Sequence, residues 1–297
     1  QRQMCIRDSA NTTGHGIIGK HNLSKHNLTF RETSVLLNSR LKLDGSMNLM
    51  RQVVKNKPTV GGFYMNPLVG LYRFPRGEDI AYYKENFEVY DEGRNLNIQN
   101  WHTSYEDFEQ NPYWITNRIL SKENRMHVIV SLSANLKIND WLSLQTRGNV
   151  DYINDKVRQQ FYASTAPALA GANGRYIEMD YQETQYYGDA ILMMKKQWDA
   201  FSLNAALGAS INDKTVNSTR YDSKTASLKY ANVFNLANII MNGSAGLDQK
   251  IDARRQLQSL FATAQLGYNE FVYLDLSARN DWSSTCLLYT SPSPRDG

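Results

Sequence analysis

The chain has 297 residues, of which 41% are hydrophobic and 21% charged, with two cysteines and a formal net charge of +4. A mean hydropathy of −0.53, with no apolar run near the roughly 18 residues that a membrane helix needs, excludes a helical membrane protein. Two cysteines are too few for a disulfide scaffold or a cysteine-rich zinc module, and the charge is too small to indicate nucleic acid binding. Composition leaves open a β-rich fold, including a membrane β-barrel, whose alternating strands average out to polar.

The two ends of the chain read differently from the middle. Residues 1–9 lack the apolar stretch of a signal peptide, and residues 286–297 break off the alternation that precedes them. Both ends resemble translated sequencing-adapter read-through at the ends of assembled gene fragments. The alternative is that they are natural disordered termini. We therefore assign no chemistry to either end, which includes Cys5 and Cys286.

Between the ends, period-two alternation predicts eight strands in four hairpins. The predicted pairs are 28–43 with 47–57, 125–138 with 142–152, 184–196 with 201–212, and 257–268 with 271–282. Their turns are predicted at Asp44-Gly45-Ser46, Asn139-Asp140, Gln197 to Ala200 and Asn269-Glu270. In the second pair Val128, Val130 and Leu132 share one face, with Ser131 and Ser133 on the other. Segment 184–196 has the weakest alternation, because Ile191 to Met194 are contiguous and apolar.

The connections between strands alternate between short and long. Turns inside a pair have a few residues, whereas the connections between pairs cover about 58–124, 154–183 and 213–256. Loops of that length count against a compact soluble domain. Short periplasmic turns and long extracellular loops are typical of an outer-membrane barrel, and the predicted strands are longer than the five or six residues usual in soluble sheets.

Aromatic residues cluster at both ends of the predicted strands. Those beside the short turns are Trp141, Trp198, Phe201, Tyr268 and Phe271, and those at the opposite ends are Tyr152, Tyr186, Tyr187 and Trp282. This placement predicts two aromatic girdles at the bilayer interfaces. The alternative is that the rings close the core of a soluble sheet. We predict an all-β fold, an antiparallel up-and-down meander that forms part of a large transmembrane β-barrel, since open sheet edges are not tolerated in lipid.

A motif near the end of the last strand carries a family resemblance. Residues 276–285 resemble the barrel motif of the SusC/RagA family of TonB-dependent outer-membrane transporters, in which a strand ends in Arg-x-Asp-x-Ser-Ser. The matching residues are Arg279, Asp281, Trp282, Ser283 and Ser284. The stretch Asn111 to Trp114 and the hairpin from Arg125 to Asp151 are similar to the same family. The resemblance covers about residues 25–285, and Cys286-Leu287-Leu288 departs from the Leu-Pro that usually follows in the family.

The resemblance implies a fold, a function and partners. It implies a barrel of about 22 strands around a plug, in the outer membrane of a Gram-negative bacterium, capped by a SusD-like surface lipoprotein. Oligosaccharides or peptides would be imported with energy from the TonB complex, and outer-membrane lipid would surround the wall. On this expectation residues 10–285 are an internal barrel fragment, residues 1–9 and 286–297 are artefactual, and the plug, the TonB-contacting segment and the closing strand lie elsewhere. No cofactor and no nucleic acid partner are expected.

Five loop aromatics are candidates for substrate contact, because sugar rings stack on aromatic faces. They are Trp101, Tyr105, Phe108, Tyr113 and Trp114. The alternative, which we favour, is that they pack the loop against its neighbours. Polar residues such as Gln145, Arg147, Asn149, Asp151, Asn204 and Asn212 are predicted to line the lumen. Arg279 and Asp281 share a face and are expected to pair with each other or with an adjacent strand, a structural role.

No catalytic or metal site is predicted. His15, His21 and His26 have no known ligand spacing, the nucleotide-binding and serine-hydrolase motifs are missing, and Glu106, Asp107 and Glu109 are scattered loop carboxylates. The runner-up function is a soluble or surface-exposed β-rich glycan-binding module. A barrel enzyme or porin is a third possibility and requires a lumen carboxylate pair or an unplugged pore.

Overall fold

The computed structural model describes residues 2–57, 63–103, 109–226, 228–241 and 245–285, and only the backbone of residues 2 and 3. The described strands are β1 Arg2–His15, β2 Asn22–Leu36, β3 Leu41–Lys55, β4 Glu88–Asp91, β5 Leu96–Gln99, β6 Ile119–Lys137, β7 Leu142–Phe161, β8 Arg175–Trp198, β9 Phe201–Asp222, β10 Gly246–Tyr268 and β11 Val272–Ser283. The described helices are α1 Pro67–Arg73, α2 Ile80–Glu85 and α3 Pro112–Arg118. Each of these helices is too short to cross a membrane.

Nine of these strands form one open antiparallel sheet. Its order is β1-β2-β3-β6-β7-β8-β9-β10-β11, so every strand pairs with its neighbours along the chain, and β4 and β5 form a separate small hairpin. This topology confirms the predicted all-β up-and-down meander. Seven of the eight predicted strands fall on single strands of the sheet, including the weakly alternating segment 184–196 inside β8, whereas segment 28–43 is divided between β2 and β3.

The first hairpin turns at a different place from the predicted one. The turn occupies 37–40, where Leu37, Asn38 and Ser39 have φ of 52°, 50° and 70°. The apolar positions change from even numbers, ending at Leu36, to odd numbers, starting at Leu41, and one continuous strand cannot hold both sets on one face. The predicted turn residues 44–46 therefore lie inside β3.

The strands are longer than predicted and the connections shorter. Strands β6 to β10 have 19 to 24 residues, and the long connections shrink to 56–118, 162–174 and 223–245. Beyond the apolar part, β7 and β8 continue through ion pairs such as Arg158 to Glu178, at 3.2 Å. A paired segment that is polar on both faces has no hydrophobic alternation, so sequence periodicity cannot detect it.

Strand β1, which contains the beginning of the chain, is the first strand of the sheet. It pairs with β2 along its whole length, so residues 2–9 continue the sheet in this structure. On the face where β2 carries Leu28 and Phe30, β1 places Cys5, Arg7 and Ser9, and the Arg7 guanidinium lies 5.9 Å from the Phe30 ring centroid. The apolar pattern of the sheet therefore stops at β2. The assignment of residues 1–9 to foreign sequence stays a prediction, and residues 286–297 lie outside the described residues.

The hydrophobic core lies at one end of the strands, where the long connections pack together. One buried cluster comprises Ile115, Ile119, Phe161, Ala170 and Ile177, and another comprises Tyr176, Leu228 and Ile239. Helices α1 and α3 begin in the same way, with an Asn cap followed by proline. In α3 the Asn111 side-chain oxygen accepts the Tyr113 N–H at 2.8 Å, which satisfies a free helix donor.

Candidate functional site

One face of the sheet is apolar and exposed over a limited band. On β6 and β7 this face carries Val128, Val130, Leu132, Ala134, Leu136, Leu142, Leu144 and Val150. Leu132 is 62% exposed and Leu207, on the same face of β9, is 53% exposed. A continuous apolar surface over many strands is unfavourable in water. It matches the lipid-facing surface of a membrane barrel, which alternates with a polar interior.

The edge of this apolar band crosses the strands obliquely. Towards the long loops, the last apolar residue on the band is Met126 on β6, Tyr152 on β7, Tyr186 on β8, Ile211 on β9 and Leu260 on β10. Their partners on the next strand are Asn154, Thr184, Asp213, Gln258 and Asn280, in that order. On β7 to β10 the partner is the first polar residue beyond the band, whereas on β11 Trp282 follows Asn280 on the same face. From β6 to β10 the edge therefore shifts by two residues at every strand.

That shift measures the inclination of the strands against the band. Two residues are about 6.6 Å along a strand, and neighbouring strands are about 4.8 Å apart, so the strands are inclined by roughly 50°. Membrane barrels have strands tilted by about 35–45°. From Leu142 to Tyr152 the band spans about 33 Å along β7, or about 20 Å in height at this inclination, which is close to the apolar height of about 25 Å of outer-membrane barrels.

Aromatic rings border the band on both sides. Beside the short turns, the rings of Phe201 and Tyr268 are 5.0 Å apart, and the Lys196 ammonium lies 5.3 Å from the Trp141 ring centroid. On the other border Tyr152, Tyr186 and Trp282 lie on the apolar face. Tyr187 was predicted to join them, and this prediction is wrong. Its neighbour Tyr186 occupies the apolar face, so Tyr187 lies on the polar face and its hydroxyl donates to Asp189 at 2.6 Å.

The opposite face is polar and cross-linked between strands. Its ion pairs join Arg31 to Asp44, Arg125 to Asp155, Arg147 to Asp189, and Lys214 to Glu183, at 2.6 to 3.0 Å, and the His127 imidazole lies 2.7 Å from the Asp151 carboxylate. Asp189, Ser218 and Ser259 on this face are buried. The residues predicted to line a lumen, Gln145, Arg147, Asn149, Asp151, Asn204 and Asn212, all lie on it. This face therefore forms a hydrophilic wall whose charges are mostly compensated.

The motif near the end of β11 ties this strand to β10. The Arg279 Nε lies 3.0 Å from both Asp281 carboxylate oxygens, and its Nη2 donates to the Ser259 hydroxyl at 3.2 Å. Ser284 extends the pairing of these two strands beyond β11, because its backbone N–H donates to the Gln256 carbonyl and its hydroxyl accepts the Gln256 N–H, both at 2.9 Å. Arg279 and Asp281 thus pair both with each other and with the adjacent strand, while Trp282 faces the apolar side.

The candidate substrate aromatics lie in the loop assembly, defined here as the connections 56–118, 162–174 and 223–245. Trp114 has no exposed surface, and its indole N–H donates to the Thr165 hydroxyl at 3.1 Å. Trp101 packs against the rings of Phe74 and Tyr83, each 5.2 Å away.

Tyr113, next to Trp114, is partly buried at the start of α3. Tyr105 and Phe108 lie outside the described residues. The structure thus places Trp101 and Trp114 in the packing of the loop assembly, and contact of the five aromatics with substrate stays a prediction.

Three buried polar residues that the sequence did not single out as structural hold the loop assembly together. Glu109 is 2% exposed and lies 3.0 Å from the His102 Nε2 and 3.3 Å from the Arg73 Nε. Gln110 accepts the Ala166 N–H at 2.8 Å. Asn111 donates to the carbonyls of residues 83 and 100. The only signal in the sequence was Asn-Pro as a helix start.

A second group of buried polar contacts lies at the ends of β8 and β9 that adjoin the loop assembly. The carboxylate of Asp222, which is 1% exposed, accepts two hydrogen bonds of 2.8 Å from Arg175 and one from the Lys224 N–H. Burial alone would raise the pKa of Asp222, but these donors and Arg220 outweigh burial and hold the pKa below its usual range. Arg118 forms a similar fork on Glu88, at 2.7 and 2.6 Å, and the Glu88 hydrogen bond raises the pKa of Arg118.

The histidines do not converge on a metal site. His15 contacts Asn22 and His26 contacts Ser24, and burial lowers the pKa of His21. Among the described residues no group of three or more His, Cys, Asp or Glu side chains has a geometry suited to a metal ion.

Comparison with known proteins identifies the fold. No family model and no curated protein matches the chain. Among solved structures, the RagAB peptide importer in its open-open state is 17% identical with a TM-score of 0.64, over 95% of this chain and 30% of that one. A second RagAB peptide transporter structure is 18% identical with a TM-score of 0.62, over 89% and 28%.

A more distant neighbour is P. aeruginosa FpvA bound to heterologous pyoverdines, which is 12% identical with a TM-score of 0.54, over 94% of this chain and 34% of that one. The chain thus spans about a third or less of the length of these proteins. It shares the fold of part of the β-barrel wall of these proteins.

Proposed function

We propose that this chain forms part of the barrel wall of a TonB-dependent outer-membrane importer of the SusC/RagA type. The observation that carries the proposal is the two-faced sheet, which has an exposed apolar band about 20 Å high on one side and a compensated polar wall on the other. The likeness to the RagAB importer and to FpvA supports this assignment. These neighbours are importers and receptors, which favours transport over catalysis.

In this proposal the parts of the chain have different roles. The apolar band contacts outer-membrane lipid of a Gram-negative bacterium, the polar face borders the lumen, and the loop assembly lies on the extracellular side. The cargo is an oligosaccharide or a peptide, the latter supported by the peptide transport named for RagAB. A SusD-like surface lipoprotein would cover the loops, and the TonB complex would supply the energy. Residues 10–285 are the part of the chain that we assign to the barrel.

The main alternative is a soluble or surface-exposed glycan-binding module. Exposed aliphatic side chains such as Leu132, Leu207 and Leu276 argue against it, because each is more than half exposed on one continuous face. The loop aromatics Trp101 and Trp114, which would carry glycan recognition, are packed inside the loop assembly. Neither observation favours the module over the barrel.

Membrane fractionation with an uptake assay tests the proposal. The full-length gene that contains this sequence is tagged and expressed in a Gram-negative host, and uptake of labelled peptides and oligosaccharides is measured with and without TonB. We expect the protein in the outer-membrane fraction, uptake of one cargo class that is lost without TonB, and co-purification of a surface lipoprotein. A product in the soluble fraction, or uptake that does not depend on TonB, would overturn the proposal.

A further inference from the structure

A cavity of about 590 Å³ lies on the polar face of the sheet, where β6 and β7 reach the loop assembly. We call it the wall cavity, and the sheet contributes Ile119, Ser121, Glu123, Gln159 and Phe161 to its lining. These residues are on the same face of β6 and β7 as Arg125 and Asp155 of the polar wall. The wall cavity therefore opens away from the apolar band, and its volume is in the range of small-molecule sites.

The other sides of the wall cavity are formed by the start of α1, the middle of α3 and the β1–β2 connection. Asn56 joins these parts to the sheet. Its side-chain oxygen accepts the Ser121 N–H at 3.0 Å, and its Nδ2 donates to the Lys20 carbonyl at 3.2 Å. Because these hydrogen bonds fix the walls before a ligand arrives, the ordering cost of binding is reduced.

The floor of the wall cavity is apolar and mostly aliphatic. Ile115, Ile119 and Phe161 are each less than 10% exposed, and Met65 packs against them. Leu68, at the start of α1, lines one side. A sugar ring placed on this floor would bury hydroxyl groups without hydrogen-bond partners, which is unfavourable. A branched aliphatic side chain fits the floor without that cost.

The rim of the wall cavity carries a carboxylate that is weakly paired. Elsewhere on the polar face, an arginine or lysine nitrogen lies 2.6 to 3.0 Å from the carboxylates of Asp44, Asp155, Glu183, Asp189 and Asp281. Within the described parts of the chain, the ion pair of Glu123 is with Lys57 at 3.8 Å, which is too long for a hydrogen bond. Glu123 is therefore able to accept from a cationic donor of the ligand, and such charge-assisted bonds are the strong ones.

We propose that the wall cavity binds the N-terminal residue of a peptide cargo, with the branched aliphatic side chain of that residue on the floor and its ammonium group on Glu123. This inference rests on the proposed function, because that function places the polar face in the path of the cargo. It selects peptides over oligosaccharides and assigns a preference for an aliphatic first residue. A lysine side chain also presents an ammonium group on an apolar chain, so the test includes one.

Two matched pairs of residues make the test specific. Leu68 and Leu71 are both 42% exposed on α1, and of the two only Leu68 lines the wall cavity. The side chains of Glu123 and Glu178 are 32% and 27% exposed, and Glu178 is on the opposite face of the sheet, paired with Arg158. The variants are Leu68→Ala with the control Leu71→Ala, and Glu123→Gln with the control Glu178→Gln.

Binding is measured by isothermal titration calorimetry. The full-length protein that contains this chain is purified in detergent together with any protein that co-purifies. The probes are the peptides Leu-Ala-Ala, Ala-Ala-Ala, N-acetyl-Leu-Ala-Ala and N-acetyl-Ala-Lys-Ala, and the oligosaccharide maltotriose. We expect Leu-Ala-Ala to bind the wild type at least about tenfold more tightly than each of the others, because only this probe has both the aliphatic first residue and the free ammonium group.

The variants should weaken the binding of Leu-Ala-Ala selectively. We expect a loss of about fivefold for Leu68→Ala and about tenfold for Glu123→Gln, with both controls unchanged. Equal binding of the free and acetylated leucine peptides, or equal losses in Glu123→Gln and Glu178→Gln, would refute the inference. Tighter binding of the lysine peptide would assign the wall cavity to a lysine side chain and overturn it. Failure of the wild type to bind any peptide would show that the cavity is filled in the intact protein, which also contradicts the inference.

The same preparations separate this inference from the proposed function. Protein that is recovered from the outer membrane and imports oligosaccharides, or imports peptides regardless of their first residue, refutes the role of the wall cavity alone. Protein recovered from the soluble fraction refutes the proposed function itself. The altered mobility that folded barrels show in unheated gel samples confirms that each variant is folded before binding is compared.

Discussion

The assignment of the two sheet faces leads to a sharp prediction for arginine substitutions on β6. Leu132 lies near the middle of the apolar band, and its cross-strand partners are Gly45 and Gly148. These glycines leave room for a longer side chain, so Leu132→Arg should not strain the sheet. Its cost should be the transfer of a guanidinium into lipid, about 2–4 kcal/mol at the bilayer midplane, or roughly a 30- to 1000-fold loss in the ratio of folded to unfolded protein.

The neighbouring residue supplies the control. Ser131 lies on the polar face, so Ser131→Arg should cost less than about 1 kcal/mol, since lumen substitutions leave lipid contact unchanged. Both variants of the full-length protein are refolded into lipid vesicles, and the free energy of unfolding is taken from urea titrations. Equal losses for the two variants, or a larger loss for Ser131→Arg, would show that the faces have been assigned the wrong way round.

Three further predictions concern the loop assembly and the first hairpin. Asp222→Asn should lower the free energy of unfolding by about 3 kcal/mol, because it leaves Arg175 without its carboxylate. The depressed pKa of Asp222 stabilises the fold above about pH 4, and this contribution is lost as the pH falls through the lower folded-state pKa. Urea titrations from pH 7 to 3 should show an acid-dependent loss that is absent in the variant. Trp114→Ala should cost about 3–5 kcal/mol and increase hydrogen exchange throughout the loop assembly; lost cargo binding with unchanged exchange would contradict its structural role. Asn38→Val should cost about 1–2 kcal/mol at its positive φ, whereas Gly45→Ala should be nearly neutral in the same unfolding assay, and the opposite order would place the turn at 44–46.

Sequence periodicity predicted the parts of the fold in which one face is apolar. The strands around Val130, Leu144 and Leu207 were correctly placed because lipid contact requires a side chain of one type at every second residue. The same signal missed the outer halves of β7 to β10, where both faces are polar and pairing depends on cross-strand ion pairs such as Lys156 to Asp180. It also misplaced the first turn, because Asp44-Gly45-Ser46 reads as a strong local turn signal.

The turn residues show how tertiary contacts override local preference. In the structure the Asp44 carboxylate accepts the Thr33 hydroxyl at 2.6 Å, so the polar side chain that would favour a turn is satisfied across the sheet instead. Gly45 does not have a positive φ, and a Cβ there would lie 3.6 Å from Leu132, an ordinary contact, so the position does not require glycine. The change of parity between Leu36 and Leu41 was present in the sequence and indicated the correct turn.

The loop assembly was the least predictable part. Sequence analysis selected Trp101 and Trp114 for their rings, but a ring that binds sugar and a ring that fills a core are the same residue type. Only the packing of separate connections, such as the 3.1 Å bond from Trp114 to Thr165, distinguishes the two roles. The buried Glu109 likewise reads as a solvated loop carboxylate until His102 and Arg73 are brought beside it.

The length and composition of the chain excluded membrane helices, disulfide scaffolds and zinc modules, and its alternation determined the antiparallel meander with one apolar face. Those properties follow from local chemistry, because the alternation of apolar and polar side chains within each strand indicates which of its faces contacts lipid. The register of the strands, their inclination to the apolar band and the packing of the loop aromatics were decided by tertiary structure. Each of these depends on which residues of different strands or loops become neighbours, and that pairing is not recorded in any single segment.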